Sequence, residues 1–156
     1  MKARLIPFEV APGSLKPMME LEKTLKNSGL EHSLIELVKT RASQINGCAY
    51  CIHMHTKDAR AHGETEERIY LLATWREARH FYSPKEQAAL AFTEAVTLVS
   101  QGGVPDEVYD EAAAHFGEEE LGHLLAMVLA INTWNRIALT SARRAGTDLR
   151  AAPGAV

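Results

Sequence analysis

The chain has 156 residues, of which 46% are hydrophobic and 24% are charged, with a formal net charge of −3. This length suits one domain with a sizeable core, and we expect residues 1–156 to form one. The acidic balance argues against a nucleic-acid-binding protein, which usually presents a basic face. The first residues lack the apolar run and cleavage site of a secretory signal, so we expect a cytoplasmic protein.

Glycine, proline and capping residues divide the chain into helices, and no strand-like alternation interrupts them. In chain order, the predicted features are a loose lead-in over residues 1–13, helices over 15–26, 31–44 and 48–62, helices that begin near Thr65, Ser83, Pro105 and Gly117, and a frayed tail over 147–156. The sequence therefore predicts an all-α fold.

The longest apolar stretch runs from residue 121 to residue 139. His123, Asn132, Asn135 and Arg136 interrupt it, and its ends lack interfacial anchors, so we do not expect it to span a membrane. It is apolar around most of its circumference, which is typical of a helix buried on several sides. A partner subunit could supply part of that burial, so we expect a homo-oligomer.

The only two cysteines, Cys48 and Cys51, lie in one short cluster that His55 completes. If Cys48 opens a helix, at about 100° per residue Cys51 lies roughly 60° away and His55 falls between them. His53 lies roughly 140° from Cys48 by the same arithmetic. This spacing favours His55, and not His53, as the base for a thiol.

The helix N-terminus and the imidazole both favour a thiolate. His55 follows Cys51 by four residues, so we assign Cys51 as the attacking cysteine and Cys48 as the resolving one. Three alternatives remain open: a structural disulfide, a zinc site and two incidentally buried cysteines. Zinc prefers four tetrahedral ligands, and Cys48, Cys51 and His55 along a single helix suit it poorly.

The residues around this cluster resemble a known family. The matching stretch is residues 36–60, ELVKTRASQINGCAYCIHMHTKDAR, and the later Trp134-Asn135-Arg136 on an apolar helix matches too. They look like the core of the AhpD-like alkylhydroperoxidases, within the carboxymuconolactone decarboxylase superfamily. The resemblance covers roughly residues 31–143 and is densest over 36–63.

The resemblance implies an AhpD-like fold of about six to seven helices, with the CxxC motif at the N-terminus of a central helix. It also implies a homo-oligomer, often a trimer or hexamer, and a peroxidase of antioxidant defence that needs no metal or haem. In such enzymes the second cysteine, here Cys51, attacks a hydroperoxide and becomes a sulfenic acid. Cys48 then closes a disulfide, which a dihydrolipoamide-type or thioredoxin-type donor reduces. Glu36 and His55 relay protons, although spacing alone would make Glu36 a solvated charge.

One departure concerns Tyr50, because the best-known members carry a further histidine directly before the second cysteine. A phenol does not shuttle protons near neutral pH as an imidazole does, so we expect a changed rate. Two other readings are a lactone decarboxylase of the same superfamily and a non-enzymatic redox-sensing or metal-binding oligomer. Paired cysteines disfavour the lactone enzyme, because its chemistry has no need of a disulfide.

Overall fold

The computed structural model describes residues 4–148, and within that range the chain is helical without any strand. Eight α-helices occupy this part of the chain: α1 Pro7–Val10, α2 Pro12–Lys26, α3 His32–Ile45, α4 Ala49–Ala61, α5 Glu66–Leu71, α6 Pro84–Thr97, α7 Asp106–His115 and α8 Glu118–Thr140. Short 3₁₀ turns cover Leu72–Thr74, Arg79–Phe81 and Val99–Gln101. The predicted all-α class is confirmed.

Local signals explain where several of these helices begin. The Ser83 hydroxyl accepts the Glu86 N–H at 3.2 Å, and the Glu86 carboxylate accepts the Ser83 N–H at 2.7 Å. This reciprocal capping box, with Pro84 at the first helical position, sets the start of α6. Thr65 caps α5 in a simpler way, by accepting the Arg68 N–H at 3.3 Å.

The N-terminal segment differs from the loose lead-in that the sequence predicts. α1 is helical, and α2 begins at Pro12, inside the predicted lead-in. The Arg4 guanidinium donates to the carbonyls of Leu139 and Thr140, both at 3.1 Å, and so satisfies orphan acceptors at the end of α8. The Phe8 ring also stacks on Trp134, with centroids 5.8 Å apart. These long-range contacts order a segment whose local sequence carries no strong helix signal.

The remaining terminal predictions fall largely beyond this range. Residues 147–148 have no regular secondary structure, while 1–3 and 149–156 lie outside the described residues. The described residues contain eight α-helices against the six to seven expected, because the short α1 lies inside the predicted lead-in.

The main core forms where α3 and α8 pack against α2, α6 and α7. Its buried members include Leu34, Val38, Phe92, Met127 and Val128. Packing on these several sides explains the nearly uniform apolar character of α8. No helix within residues 4–148 combines the length and apolar character that a membrane crossing requires.

A second, smaller core surrounds Trp75 and contains a buried carboxylate. Glu94 on α6 is 9% exposed and accepts hydrogen bonds from Arg41 Nε at 2.7 Å and Trp75 Nε1 at 2.8 Å. Arg76 also pairs with it. Burial raises the pKa of Glu94, but these hydrogen bonds and the Arg41 charge outweigh it and leave that pKa below its usual value. This glutamate is therefore held as an anion between permanent cations.

Candidate active site

The turn between α3 and α4 fixes the position of the first cysteine. Gly47 adopts a φ of +67°, and its N–H donates to the Gln44 carbonyl at 3.2 Å. The Cys48 N–H donates to the Ser43 carbonyl at 2.9 Å, which completes a Schellman motif at the end of α3. Cys48 is also the N-cap of α4, because its Sγ accepts the Cys51 N–H at 3.3 Å. Cys48 therefore takes part in both the C-terminal cap of α3 and the N-terminal cap of α4.

A buried amide network attaches this turn to α8. Asn46 Nδ2 donates to Oδ1 of Asn132 at 2.9 Å and to Oδ1 of Asn135 at 2.8 Å. Asn135 Nδ2 in turn donates to Ser43 Oγ, and Asn132 Nδ2 donates to Thr97 Oγ1, both at 3.0 Å. The polar residues that interrupt the apolar stretch of α8 therefore hold the base of the cysteine motif in place.

Cys48 and Cys51 form a disulfide, with their Cα atoms 5.3 Å apart. They are only 1% and 2% exposed, and they pack with Ala138 and Tyr50. Their location at the beginning of a helix in the middle of the chain matches the predicted placement of the CxxC motif.

Cys51 lines a cleft of about 910 Å³ that α2, α3, α4 and α8 enclose together with the N-terminal segment. Apolar side chains form much of its wall: Phe8, Met19, Ile35, Met54, Trp134 and Ile137. Glu36, His55 and Asp58 line the same cleft. The cleft therefore offers an apolar surface leading to a sulfur atom and a group of ionisable side chains.

Glu36 and His55 form a buried pair across the α3–α4 turn. Glu36 Oε2 lies 2.8 Å from His55 Nδ1, and the two residues are 8% and 5% exposed. Because an ionised carboxylate only accepts, Nδ1 carries the donated proton in this pairing. Burial raises the pKa of Glu36, but the His55 hydrogen bond and the charges of His55, Lys39 and His62 outweigh it and lower that pKa. A solvated surface charge is therefore the wrong description of Glu36.

Of the four predicted catalytic residues, Glu36, Cys51 and His55 line the cleft, and Cys48 is bonded to Cys51. His53 does not line the cleft. His53 is exposed, whereas His55, two residues later, faces the interior. Tyr50 also lines the cleft, and the Arg143 guanidinium lies 5.9 Å from its ring centroid. The residue that replaces the family histidine therefore belongs to the same cleft as Cys51.

Asp58, which the sequence analysis did not single out, is half-buried near the Glu36–His55 pair. One ligand-type atom from each of Asp58, Glu36 and His55 lies within 4.8 Å of the others. Asp58 follows His55 by three residues, so the two share a helix face, and this spacing was the available signal. His62, one helical turn beyond Asp58, also lines the cleft, and its ring stacks on His32 with centroids 4.8 Å apart.

Comparison with known proteins defines the class. The sequence model of the carboxymuconolactone decarboxylase family matches residues 12–95, and the chain belongs to this family. The chain is also 46% identical over 147 residues to the uncharacterized protein YdfG of Bacillus subtilis (strain 168), covering 94% of this chain and 99% of the relative.

Two solved structures share the fold. One is a protein of unknown function from Agrobacterium tumefaciens, provisionally named as the antioxidant defence protein AhpD, with 40% identity and a TM-score of 0.88. The match covers 94% of this chain and 100% of that one. The other is the debrominase Bmp8 in its apo form, with 20% identity, a TM-score of 0.72 and coverage of 87% and 73%. The predicted AhpD-like resemblance is confirmed, while Bmp8 shows the fold alone.

Proposed function

We propose that this protein is a cysteine-based hydroperoxide reductase that cycles through the Cys48–Cys51 disulfide in antioxidant defence. The observation that carries the proposal is the convergence of a disulfide with the buried Glu36–His55 pair in one cleft. The relative from Agrobacterium tumefaciens, named provisionally for antioxidant defence, supports the same reading.

In the first step, the Cys51 thiolate attacks one peroxide oxygen and breaks the O–O bond. Cys51 becomes a sulfenic acid, and the other oxygen leaves as an alcohol after it takes up a proton. His55 supplies that proton, and Glu36 orients the ring and stabilises its charged form. The location of Cys51 on the cleft wall, in the first turn of α4, favours both access and thiolate formation.

In the second step, the Cys48 thiolate attacks the Cys51 sulfenic sulfur, forms the disulfide and releases water. An external dithiol of the dihydrolipoamide or thioredoxin type then reduces the disulfide and is itself oxidised. Because both cysteines are buried in the disulfide, the reductant enters through the cleft, where Cys51 is the sulfur that lines the wall. We place this cycle in the cytoplasm, where such dithiols are maintained.

We also propose that the protein works as a homo-oligomer, a trimer or a hexamer. Leu125, Leu129 and Leu139 of α8 are exposed, and Leu129 reaches 53%. A second copy would cover such residues, which water solvates unfavourably. Light scattering coupled to gel filtration measures the subunit number, and a monomer at micromolar concentration would contradict this part of the proposal.

The test of the cycle is sulfenic-acid trapping in pre-reduced protein, read by mass spectrometry after peroxide addition. Cys48→Ser should accumulate a trapped sulfenic acid on Cys51, because no resolving thiol remains. Cys51→Ser should give no peroxide-dependent label and no turnover. Equal labelling of the two single variants would contradict the assigned roles.

A coupled assay should offer a dihydrolipoamide donor and a thioredoxin-type donor in parallel, and one of them should sustain turnover. The double variant that lacks both cysteines is the control. If it turned over a lactone substrate, the activity would be that for which the family is named and the disulfide cycle would be incidental.

A further inference from the structure

We propose that Glu36, His55 and Asp58 form a binding site for a divalent transition-metal ion, with Zn²⁺ as the best match, and that its occupation inhibits the peroxidase cycle. The inhibitory part depends on the proposed function, whereas the binding itself does not. One imidazole and two carboxylates from two helices converge here on one wall of the cleft.

The geometry requires only small adjustments. Zinc bonds of about 2.1 Å in a tetrahedron place two ligand atoms about 3.4 Å apart. The three candidate ligand atoms already lie within 4.8 Å of one another, so no pair needs to close by more than about 1.4 Å, which side-chain rotation can supply. His55 and Asp58 share one face of α4, and Glu36 approaches from α3. Because all three residues line the cleft, we expect a fourth ligand position to open into it and to take water.

The ligand chemistry also selects the ion. Imidazole nitrogen with carboxylate oxygen suits zinc and similar first-row ions better than calcium, which takes six to eight oxygen ligands. Two carboxylates together carry enough charge to neutralise a divalent cation. The nearby Lys39 opposes binding, but its ammonium is paired with Glu22 at 2.7 Å.

This ligand set differs from the zinc alternative that the sequence left open, which would use Cys48, Cys51 and His55. In the disulfide, Cys48 and Cys51 are not thiolates and therefore do not ligate. Reduction restores a thiolate at Cys51, one helical turn before His55 and on the same cleft wall. The reduced protein should therefore bind the ion more tightly than the oxidised protein.

A metal ion bound at this site would engage two side chains that the peroxidase cycle uses. A bound ion takes a ring nitrogen of His55 and the carboxylate of Glu36, so the ring no longer delivers a proton to the leaving oxygen. No bond in the peroxide is broken by the ion and no electrons move, so the effect is reversible by a chelator.

The binding test uses zinc chloride with the full chain in its disulfide form, by calorimetry and equilibrium dialysis. We expect one zinc per chain, at least tenfold weaker binding in Asp58→Asn, and no change in Asp110→Asn, an exposed control on α7. Cobalt chloride provides a second readout, because imidazole-bound cobalt has a visible spectrum that reports its ligands. Absence of binding, or equal binding by Asp58→Asn and His55→Gln with native melting curves, would overturn the site.

The inhibition test adds zinc to pre-reduced protein from which the reductant has been removed. Peroxide consumption should fall, recover with a chelator, and require at least tenfold more zinc in Asp58→Asn. Equal sensitivity of that variant would overturn the inhibitory role and assign the effect to the cysteines alone. The dialysis of the disulfide form involves no peroxide. Its result therefore tests zinc binding even if the proposed peroxidase activity is not found.

Discussion

Glu36 and Glu94 are both buried glutamates with a lowered pKa, yet their surroundings differ. Glu94 is enclosed by two arginines and an indole N–H. Glu36 accepts from an imidazole and faces a cleft. Arginine keeps its proton at any pH at which proteins fold, whereas histidine exchanges one near neutrality.

The identity of its hydrogen-bonding partner thus says more about the role of a buried carboxylate than its burial does. Permanent cations hold Glu94 in a single state, which suits a structural role between α3, α6 and the residues around Trp75. An imidazole partner can both donate and accept a proton, which suits the Glu36 pair to proton transfer. Four predictions test this contrast.

The largest expected effect is on catalysis by Glu36→Gln. The amide oxygen still accepts from His55 Nδ1, but it no longer stabilises a charged ring. We expect kcat/KM for a hydroperoxide to fall by about 10³-fold, within the range for loss of general acid–base assistance. Steady-state kinetics with a coupled donor measures this. Activity within threefold of wild type would remove Glu36 from the relay.

The matched change, Glu94→Gln, should act on stability. It leaves the guanidinium of Arg41 largely buried without its anion, and we expect the free energy of unfolding to fall by about 3 kcal/mol. Urea unfolding followed by circular dichroism measures this, while kcat/KM per folded molecule should stay unchanged. A variant with wild-type stability and lost activity would reverse the roles of the two glutamates.

Acid should lower the free energy of unfolding, because it protonates the carboxylates of Glu36 and Glu94. Each has a folded-state pKa below the usual 4.5, so its stabilisation is complete above that pH and is lost as the pH falls through the folded pKa. We expect unfolding free energy to decline below pH 4.5, and to decline less steeply in Glu36→Gln and Glu94→Gln. Urea titrations between pH 3 and pH 6, at constant ionic strength, provide the comparison. Identical slopes in all three proteins would contradict the assigned shifts.

The smallest expected effect follows from Tyr50→His, which places a further imidazole in the cleft, directly before Cys51 in the chain. We expect kcat/KM to rise by about two- to fivefold near neutral pH, because an imidazole exchanges protons there and a phenol does not. Tyr50→Phe is the control, since it keeps the ring and removes the hydroxyl. A decrease in Tyr50→His with no change in Tyr50→Phe would show that the ring's packing matters more.

The helices were predictable from the sequence because their boundaries are encoded locally. Gly47 ends α3 by its positive φ, and Ser83 begins α6 through a box that spans four residues. The N-terminal segment was not predictable, since Arg4 and Phe8 find their partners more than a hundred residues away. Local helix propensity carries no information about contacts between residues so far apart in the chain.

The residues of the candidate site also divide into those that local spacing predicts and one that it does not. His55 followed from its spacing to Cys51, and Asp58 could have followed from its spacing to His55. Glu36 needed the family resemblance, because its partner lies 19 residues away across a turn. The chemical roles of all these residues stay predictions until the variants are measured.

The amide network beneath the cysteines has one further consequence, for the chemical ageing of the protein. Asn46 precedes Gly47, and an asparagine–glycine step favours attack of the backbone nitrogen on the side-chain amide, because glycine offers no steric hindrance. In the fold, that amide is tied to Asn132 and Asn135, and the glycine nitrogen is engaged with Gln44. Native packing therefore slows deamidation at the Asn46–Gly47 step, one residue before Cys48, and prolonged unfolding would allow Asn46 to deamidate irreversibly.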